Sequence, residues 1–142
     1  MNKWDRRFLD MARLVAGWSK DPSTKVGAVI ADPHNRVVSV GYNGFPRGVP
    51  DDEAQLADRD MRLSLTLHAE RNAILFARRD LTGCTLYCTH HPCASCAAEI
   101  IQAGIGRVVW LPQEGGFATR WALDFPRARM AFRGADVQFE QH

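Results

Sequence analysis

The sequence predicts an α/β protein in which helices cover both faces of a five-stranded mixed sheet, a three-layer α/β/α sandwich formed by residues 1–142 as a single domain. The 142 residues, 46% hydrophobic and 24% charged, suffice for one domain with a substantial core and are too few for two. The predicted elements follow the order α-β-β-α-β-α-β-α-β. The first two strands are adjacent and form a hairpin, whereas helices separate the later strands, which favours parallel neighbours among them.

The N-terminal half predicts a helix followed by the hairpin. A helix over residues 4–19 is indicated by apolar side chains at helical spacing, namely Phe8, Met11, Leu14, Val15 and Trp18. The run "KVGAVIAD" is apolar at both alternating sets of positions, which is typical of a strand covered on both faces. After the turn "DPHN", the run "RVVSVGY" predicts the second strand. A loop rich in Gly and Pro follows, and residues 54–65 form either a short helix or an ordered loop.

Helices and strands alternate in the second half. "HAERNAILFARR" predicts a helix whose inward-facing residues are Ala73, Ile74, Phe76 and Ala77. "GCTLYCT" predicts a strand, and "PCASCAAEIIQAG" a helix with proline in its first turn and Gly104 at its C-cap. "RVVWL" predicts another strand. A helix over residues 117–125 is interrupted or restarted by Pro126, and "ADVQFE" predicts the last strand.

The composition excludes several classes of protein. A net charge of +2 does not indicate a strongly basic surface, so nucleic acid is not the expected partner. No apolar run approaches membrane-spanning length, and the first residues lack the apolar core of a secretion signal. A cytoplasmic location is therefore expected. In a reducing compartment, the four cysteines favour thiols, metal ligands or catalysis over disulfides.

One histidine and two cysteines form a suitable ligand set for zinc. His68 offers an imidazole, and Cys93 and Cys96 offer two thiolates. The two cysteines are three residues apart at the start of a predicted helix, so their sulfurs share one face. The helix N-terminus favours thiolate over thiol. Three protein ligands leave the fourth position to water, as in a catalytic zinc site.

Glu70 gives this set a catalytic interpretation. It follows His68 by two positions, close enough to reach a zinc-bound water without binding the metal. Zinc lowers the pKa of such a water toward neutrality. A carboxylate beside it can take the proton and pass it to a ring nitrogen and then to a leaving amine. H-x-E combined with P-C-x-x-C is the signature of zinc nucleobase deaminases, and here it reads His68-Ala69-Glu70 and Pro92 to Cys96.

The remaining cysteines and histidines have other interpretations. Cys84 and Cys88 lie on a predicted buried strand with no histidine nearby, so we interpret them as core thiols. At least one of His90 and His91 is expected to line the site, but not as a ligand, because the ligand set is already complete. Alone, Cys-x-x-Cys would equally suit a redox pair or half of a zinc knuckle. His-x-Glu and the preceding proline decide against both.

Five longer stretches indicate a family. They are "SKDPSTKVGAVI", "GYNGFPRG", "HAERNAILFA", "GCTLYCTHHPCASCAAEIIQAGI" and "RVVW", and they cover most of residues 18–110. On these stretches the chain resembles the deoxycytidylate (dCMP) deaminase family of the cytidine-deaminase-like zinc superfamily. The zinc motifs define only the superfamily, whereas the first two stretches point to the dCMP branch. The resemblance implies a cytidine deaminase-like fold and hydrolysis of dCMP, or a close pyrimidine deoxynucleotide, to dUMP and ammonia.

The resemblance also assigns roles to single residues. It implies that His68, Cys93 and Cys96 bind zinc and that Glu70 is the proton shuttle. Asn43, at the end of the second predicted strand, matches the residue that holds the sugar. An amide suits this task because it can both donate to and accept from a hydroxyl.

Further substrate contacts are expected from two other segments. The backbone around Ala69 is expected to contact the edge of the base. For the 5′-phosphate, the hydroxyl and cation cluster beside the first turn is the candidate, with the residues Ser19, Lys20, Thr24 and Lys25. The alternative for the two lysines is an ordinary place on the surface.

The family also suggests partners. Many members are oligomers that respond to deoxynucleoside triphosphates, so the resemblance implies a homo-oligomer with dCTP and dTTP as effectors. The loop "GYNGFPRG" resembles the segment involved, including Gly44 and Arg47, although turn chemistry alone explains its Gly and Pro. Some members carry a second, structural zinc in an insertion. Residues 51–67 contain neither Cys nor His, so we predict one Zn²⁺ per chain.

Two other functions compete with a free-nucleotide deaminase. A deaminase acting on tRNA or single-stranded nucleic acid shares the zinc motifs, and the weak net charge and the dCMP-like loops argue against it. A non-catalytic, zinc-stabilised interaction module would need the ligands but not the shuttle. The presence of Glu70 argues against such a module.

Overall fold

The computed structural model describes residues 1–113, 115, 116, 119 and 121–142. Within these residues the helices are α1 (Lys3–Ala16), α2 (Glu53–Ala57), α3 (Arg59–Leu65), α4 (Ala69–Ala77), α5 (Ala94–Gln102) and α6 (Asp124–Gly134). The strands are β1 (Gly27–Ala31), β2 (Val37–Tyr42), β3 (Thr85–Cys88), β4 (Arg107–Trp110) and β5 (Gln138–Gln141). Among these residues, no helix is both long and apolar enough to cross a membrane.

The five strands form one mixed sheet in the order β2-β1-β3-β4-β5. β1 pairs with β2 and with β3 in antiparallel fashion, whereas the pairs β3–β4 and β4–β5 are parallel. The predicted hairpin and the predicted parallel neighbours are both confirmed. β2 is an edge strand, so one side of it has no strand neighbour among the described residues.

Alternating side chains give the sheet two cores. On one face, α1 packs against a cluster that includes Phe8, Val29 and Tyr87. On the other face, residues of α4, α5 and α6 share a larger cluster with Ile30 and Leu86. Helices therefore cover both faces, and the predicted three-layer α/β/α sandwich is confirmed.

Two glycines bring helices unusually close to the sheet. A Cβ on Gly27 would lie 2.1 Å from the carbonyl oxygen of Ala12 in α1. A Cβ on Gly41 would lie 2.4 Å from the Ala69 carbonyl oxygen and 2.4 Å from the Ala73 nitrogen in α4. Any larger residue at Gly41 would push α4 outward. This contact thus helps to position the start of α4, where His68 and Glu70 lie.

A buried ion pair connects the first helix to the sheet. Asp5, 1% exposed, accepts hydrogen bonds from two guanidinium nitrogens of Arg107 at 2.7 and 2.9 Å and from the Tyr87 hydroxyl at 2.8 Å. Arg107 also pairs with Glu140. Asp5, Glu140 and His142 are close together, but this one guanidinium already pairs with both carboxylates. The group is therefore a structural cluster.

We expect the substitution Arg107→Met to lower the free energy of unfolding by about 3 kcal/mol, because it leaves the Asp5 carboxylate buried without a cation. The matched control is Arg13→Met, which removes the 2.8 Å pair with the exposed Asp10 and should cost at most about 0.5 kcal/mol. Urea unfolding of both variants measures the difference. Equal midpoints would contradict a stabilising role for the buried pair.

Several helix boundaries differ from the prediction. α1 ends at Ala16, because Gly17 caps it, and both Leu14 and Trp18 are more than half exposed. The predicted inward position of Phe76 is wrong, since its side chain is 51% exposed. Segment 54–65 forms two short helices separated by Asp58, whose carboxylate caps α3 by accepting from the Met61 N–H at 3.1 Å.

The later helices also begin away from the expected positions. Pro92 lies just before α5, and Cys93 is the N-cap. Gly104, with φ of +87°, directly follows the C-cap of α5, close to the predicted end. Pro126 lies in the first turn of α6, which agrees with a restart there. The predicted helix over 117–125 falls in part on residues 117, 118 and 120, outside the described residues.

Candidate active site

The candidate active site lies where β2 and β3 end and α4 and α5 begin. The N–H of Thr89, just after β3, donates to the Gly27 carbonyl at 3.0 Å, and its hydroxyl accepts from the Gly27 N–H at 3.1 Å. The N–H of Asn43, just after β2, donates to the Val26 carbonyl at 3.3 Å. These bonds hold the ends of three strands together beneath the two helix N-termini.

His68, Cys93 and Cys96 converge at this edge. The Nδ1 atom of His68 lies 3.2 Å from the Cys96 Sγ and 3.5 Å from the Cys93 Sγ. Tetrahedral zinc with bonds of about 2.1 to 2.3 Å separates its ligands by roughly 3.5 to 3.8 Å. The donor set and its spacing therefore fit Zn²⁺. Within the described part of the chain, no other His, Cys, Asp or Glu joins this group.

The surroundings shift the pKa values of the two thiols in opposite directions. Hydrogen bonds from Cys96, followed by those from His68 and Ser95, lower the pKa of the Cys93 thiol to about 3, although burial opposes this. The hydrogen bond to Cys93 and burial raise the pKa of Cys96. Cys93 is thus the more acidic of the two thiols, and thiolate is the form that binds metal.

Glu70 lies beside the ligand group without belonging to it. Its side chain is only 4% exposed, and burial is the main cause that raises its carboxyl pKa. Because it stands in the first turn of α4, two residues after His68, it projects from the same helix start as that ligand. The structure thus provides a buried carboxylate next to three zinc-type donors.

A second set of contacts fixes the start of α5. The Asp124 carboxylate of α6 accepts from the Ala94 N–H, the first of α5, at 2.7 Å. The buried His91 ring stacks on Phe125 at 4.0 Å between centroids. Its Nδ1 lies 2.7 Å from the Pro92 carbonyl oxygen, and its Nε2 lies 3.0 Å from an Arg129 nitrogen. α6 therefore holds the segment that carries the two ligand cysteines.

A cavity of about 210 Å³ opens above the ligand group. It includes both histidines that precede Pro92, which confirms that at least one of them lines the site. Neither belongs to the ligand group. Cys84 and Cys88 are fully buried core thiols, as predicted. The residues that line the cavity are Asp21, Ser23, Thr24, Val26, Asn43, Arg59, Arg62, Leu63, Thr66, His68, Ala69, Glu70, His90, His91, Cys93 and Trp121.

The substrate residues expected from the sequence separate into two groups. Asn43, Ala69 and Thr24 line the cavity. The Asn43 amide also binds backbone: its Oδ1 accepts from the Val26 N–H at 2.9 Å, and its Nδ2 donates to the Thr24 carbonyl at 2.8 Å. Ser19 is buried outside the lining, where its hydroxyl donates to the Asn43 carbonyl at 2.8 Å.

The two lysines and the loop residues lie elsewhere. Lys20 pairs with Asp51 at 3.1 Å, and Lys25 is exposed outside the lining. Lys20 and Gly44 line a second cavity, of about 150 Å³. Arg47 lies over the Phe76 ring, 5.4 Å from its centroid, and lines neither cavity.

Sequence reasoning missed several residues of the cavity wall, among them Arg59, Arg62 and Trp121. Arg59 and Arg62 come from α3, whose position over the site no motif indicated. Trp121 lies 6.5 Å from His68 between ring centroids, in an edge-on arrangement. An aromatic residue within a predicted helix was the only available signal for Trp121, and it does not distinguish a pocket wall from a core position.

The fold and the site together define a hydrolytic deaminase. Its features are a sandwich of helices around a mixed sheet, an imidazole–dithiol group that fits zinc, and a buried carboxylate beside that group. The family model for the cytidine and deoxycytidylate deaminase zinc-binding region matches residues 2–112. The chain belongs to this family.

Individual relatives agree with this assignment. The chain is 51% identical over 138 residues to an uncharacterized deaminase in the luxG 3′ region of Aliivibrio fischeri, covering 97% of the chain and 92% of that protein. It is 38% identical over 140 residues to human deoxycytidylate deaminase, covering 92% and 79%. The dCMP deaminase from the cyanophage S-TIM5, solved in complex with dCMP and dUMP, has the same fold, with a TM-score of 0.76 at 24% identity over 100% and 99% of the two chains.

Proposed function

We propose that the protein catalyses the hydrolytic, zinc-dependent deamination of dCMP to dUMP and ammonia. The observation that carries the proposal is the position of Glu70, buried beside the His68–Cys93–Cys96 group and lining the same cavity. The human relative is named a deoxycytidylate deaminase, and the cyanophage structure with the same fold holds dCMP and dUMP. Both names support a pyrimidine deoxynucleotide as substrate.

Each residue of the site has a task in the proposed deamination. His68, Cys93 and Cys96 hold one zinc ion per chain, which supplies a water of lowered pKa when bound. Glu70 takes one proton from the attacking water and gives it to the ring nitrogen while the new C–O bond forms. It then takes the remaining proton of that oxygen and gives it to the amine, which leaves as ammonia when the C–N bond breaks. The N–H of Ala69, the first of α4, has no partner within its helix and can bind the base edge.

Asn43 and the second cavity complete the proposal. The Asn43 amide has one further N–H and one further lone pair for a sugar hydroxyl. The second cavity, where Gly44 lies beside Lys20 and aromatic side chains, would receive dCTP or dTTP as effectors. Phosphate-binding roles for Ser19, Lys20, Thr24 and Lys25, an effector contact by Arg47, a homo-oligomeric assembly and a cytoplasmic location stay predictions.

A product assay tests the substrate. The zinc-loaded protein is incubated separately with dCMP, CMP, deoxycytidine, dCTP, a 5-substituted dCMP, tRNA and single-stranded DNA, with and without dCTP or dTTP, and ammonia and products are measured. We expect kcat/KM for dCMP to exceed that for deoxycytidine by at least about 100-fold, because charge-assisted phosphate contacts are strong. Turnover of tRNA or single-stranded DNA alone would overturn the proposal.

A further inference from the structure

Two arginines of α3 line the cavity that contains Glu70. Arg59 and Arg62 are three residues apart and therefore lie on the same face of the helix. Among the described residues, no other lysine or arginine lines this cavity. We propose that these two guanidinium groups bind the 5′-phosphate of the nucleotide, an inference that rests on the proposed function and names the residues that recognise its anionic end.

The structure holds Arg62 in place before any ligand binds. One of its terminal guanidinium nitrogens donates to the Leu56 carbonyl of α2 at 2.7 Å. The other guanidinium N–H groups remain available for an anion, since the group has five donors. Arg59 is exposed, and no described residue pairs with it. An anchored guanidinium and an exposed one can together surround a phosphate, and each can make bidentate contacts with it.

The backbone anchors α3 beside the reacting end. Just past the helix, the Leu67 N–H donates to the Gly44 carbonyl at 2.8 Å, and the Gly44 N–H donates to the Leu67 carbonyl at 3.1 Å. The next residue is the ligand His68. The two arginines and His68 are therefore parts of one continuous, anchored segment.

The loop between α1 and β1 supplies hydroxyl groups and one carboxylate to the cavity. Ser23 and Thr24 line the cavity, and their N–H groups donate to the Asp21 Oδ1 at 2.8 and 3.0 Å. Asp21 is the only lining carboxylate besides Glu70 among the described residues, and these two bonds occupy part of it. Two guanidinium groups and one such carboxylate therefore line the cavity away from Glu70, and this balance of charge favours a phosphate.

The two lysines expected from the sequence to bind the phosphate lie outside this cavity. Lys20 is paired with Asp51 and lines the second cavity, and Lys25 lies outside the linings of both. Neither lysine is placed beside the cavity as the two arginines are. Phosphate recognition would then be a task of α3 rather than of the loop between α1 and β1.

The test compares dCMP with deoxycytidine, which lacks the phosphate. We expect Arg59→Gln and Arg62→Gln each to lower kcat/KM for dCMP by about 10- to 100-fold, mainly through KM, because the phosphate is remote from the reacting carbon. The value for deoxycytidine should change less than about twofold. Inhibition by dUMP should weaken to a similar extent, but inhibition by deoxyuridine should not. Arg13→Gln, on the exposed face of α1, is the matched control.

A binding measurement covers the case in which deoxycytidine is turned over too slowly. Calorimetry in a Glu70→Gln background gives the Kd of dCMP with and without each arginine substitution. Unchanged dCMP kinetics and Kd in both arginine variants would overturn the inference, as would a loss that appears only in Lys25→Gln. If the wild-type protein neither binds nor deaminates dCMP, the proposed function itself fails. That result differs from a wild-type protein that binds dCMP and arginine variants that bind it equally well, which would refute only the phosphate assignment.

Discussion

We expect the substitution Glu70→Gln to lower kcat for dCMP by about 10²- to 10⁴-fold while the zinc content stays at that of the wild type. Glutamine keeps the size of the side chain, which is only 4% exposed, but it cannot take up and release a proton. Because Glu70 does not belong to the ligand group, the metal site should keep all of its donors. A loss in kcat with little change in the Kd of dCMP would assign Glu70 to the reaction rather than to binding.

The matched control is Glu53→Gln, the same chemical change on the exposed helix α2. It should retain kcat within about twofold, since it lies outside the cavity lining. Metal analysis and thermal unfolding accompany both variants. A Glu70→Gln protein as active as the wild type would show that another group moves the proton.

The group of His68, Cys93 and Cys96 was predictable as a candidate metal site because its chemistry is local in sequence. Cys93 and Cys96 are close in sequence and share the start of one helix, and a His-x-Glu beginning another helix leaves few other interpretations. The predicted α-β-β-α-β-α-β-α-β order then brought both helix starts to the same edge of the sheet. The structure places the His68 Nδ1 within 3.5 Å of both sulfurs.

The far end of the cavity could not be predicted in the same way. Arg59 and Arg62 lie in a polar segment without clear periodicity, and the bridge between Gly44 and Leu67 anchors the chain at the end of α3 beside the site. That bridge is a tertiary contact between residues distant in sequence. The lysines of the first turn were plausible by composition, but Lys20 is turned toward Asp51.

The error at Phe76 has a related cause. Helical periodicity marks an apolar face but does not reveal how far the sheet beneath it extends. α4 contacts the edge strand β2 through Ala69 and Ala73 over Gly41, and no further strand lies beyond β2 among the described residues. Phe76 is therefore left half exposed beneath Arg47.

The substitution Cys93→Ala is expected to remove zinc and to lower stability together. Cys93 caps α5 and His68 caps α4, so a metal held by both connects two helices. With two protein ligands left, the zinc content should fall from about one to near zero per chain. A metal that binds only the folded state contributes about 4 kcal/mol when its free concentration is 1,000 times Kd, and this contribution would be lost. The melting temperature of the variant should then no longer respond to a chelator.

Cys84→Ala provides the matched control, since it removes a fully buried thiol that lies outside the ligand group. It should cost about 1 kcal/mol through the cavity it leaves, yet bind zinc and lose stability on chelation as the wild type does. The comparison separates loss of metal from loss of packing, because both variants lose a sulfur from a buried position. Full zinc occupancy in Cys93→Ala would mean that His68 and Cys96 bind the ion with a different third donor, and the assignment of Cys93 would be wrong.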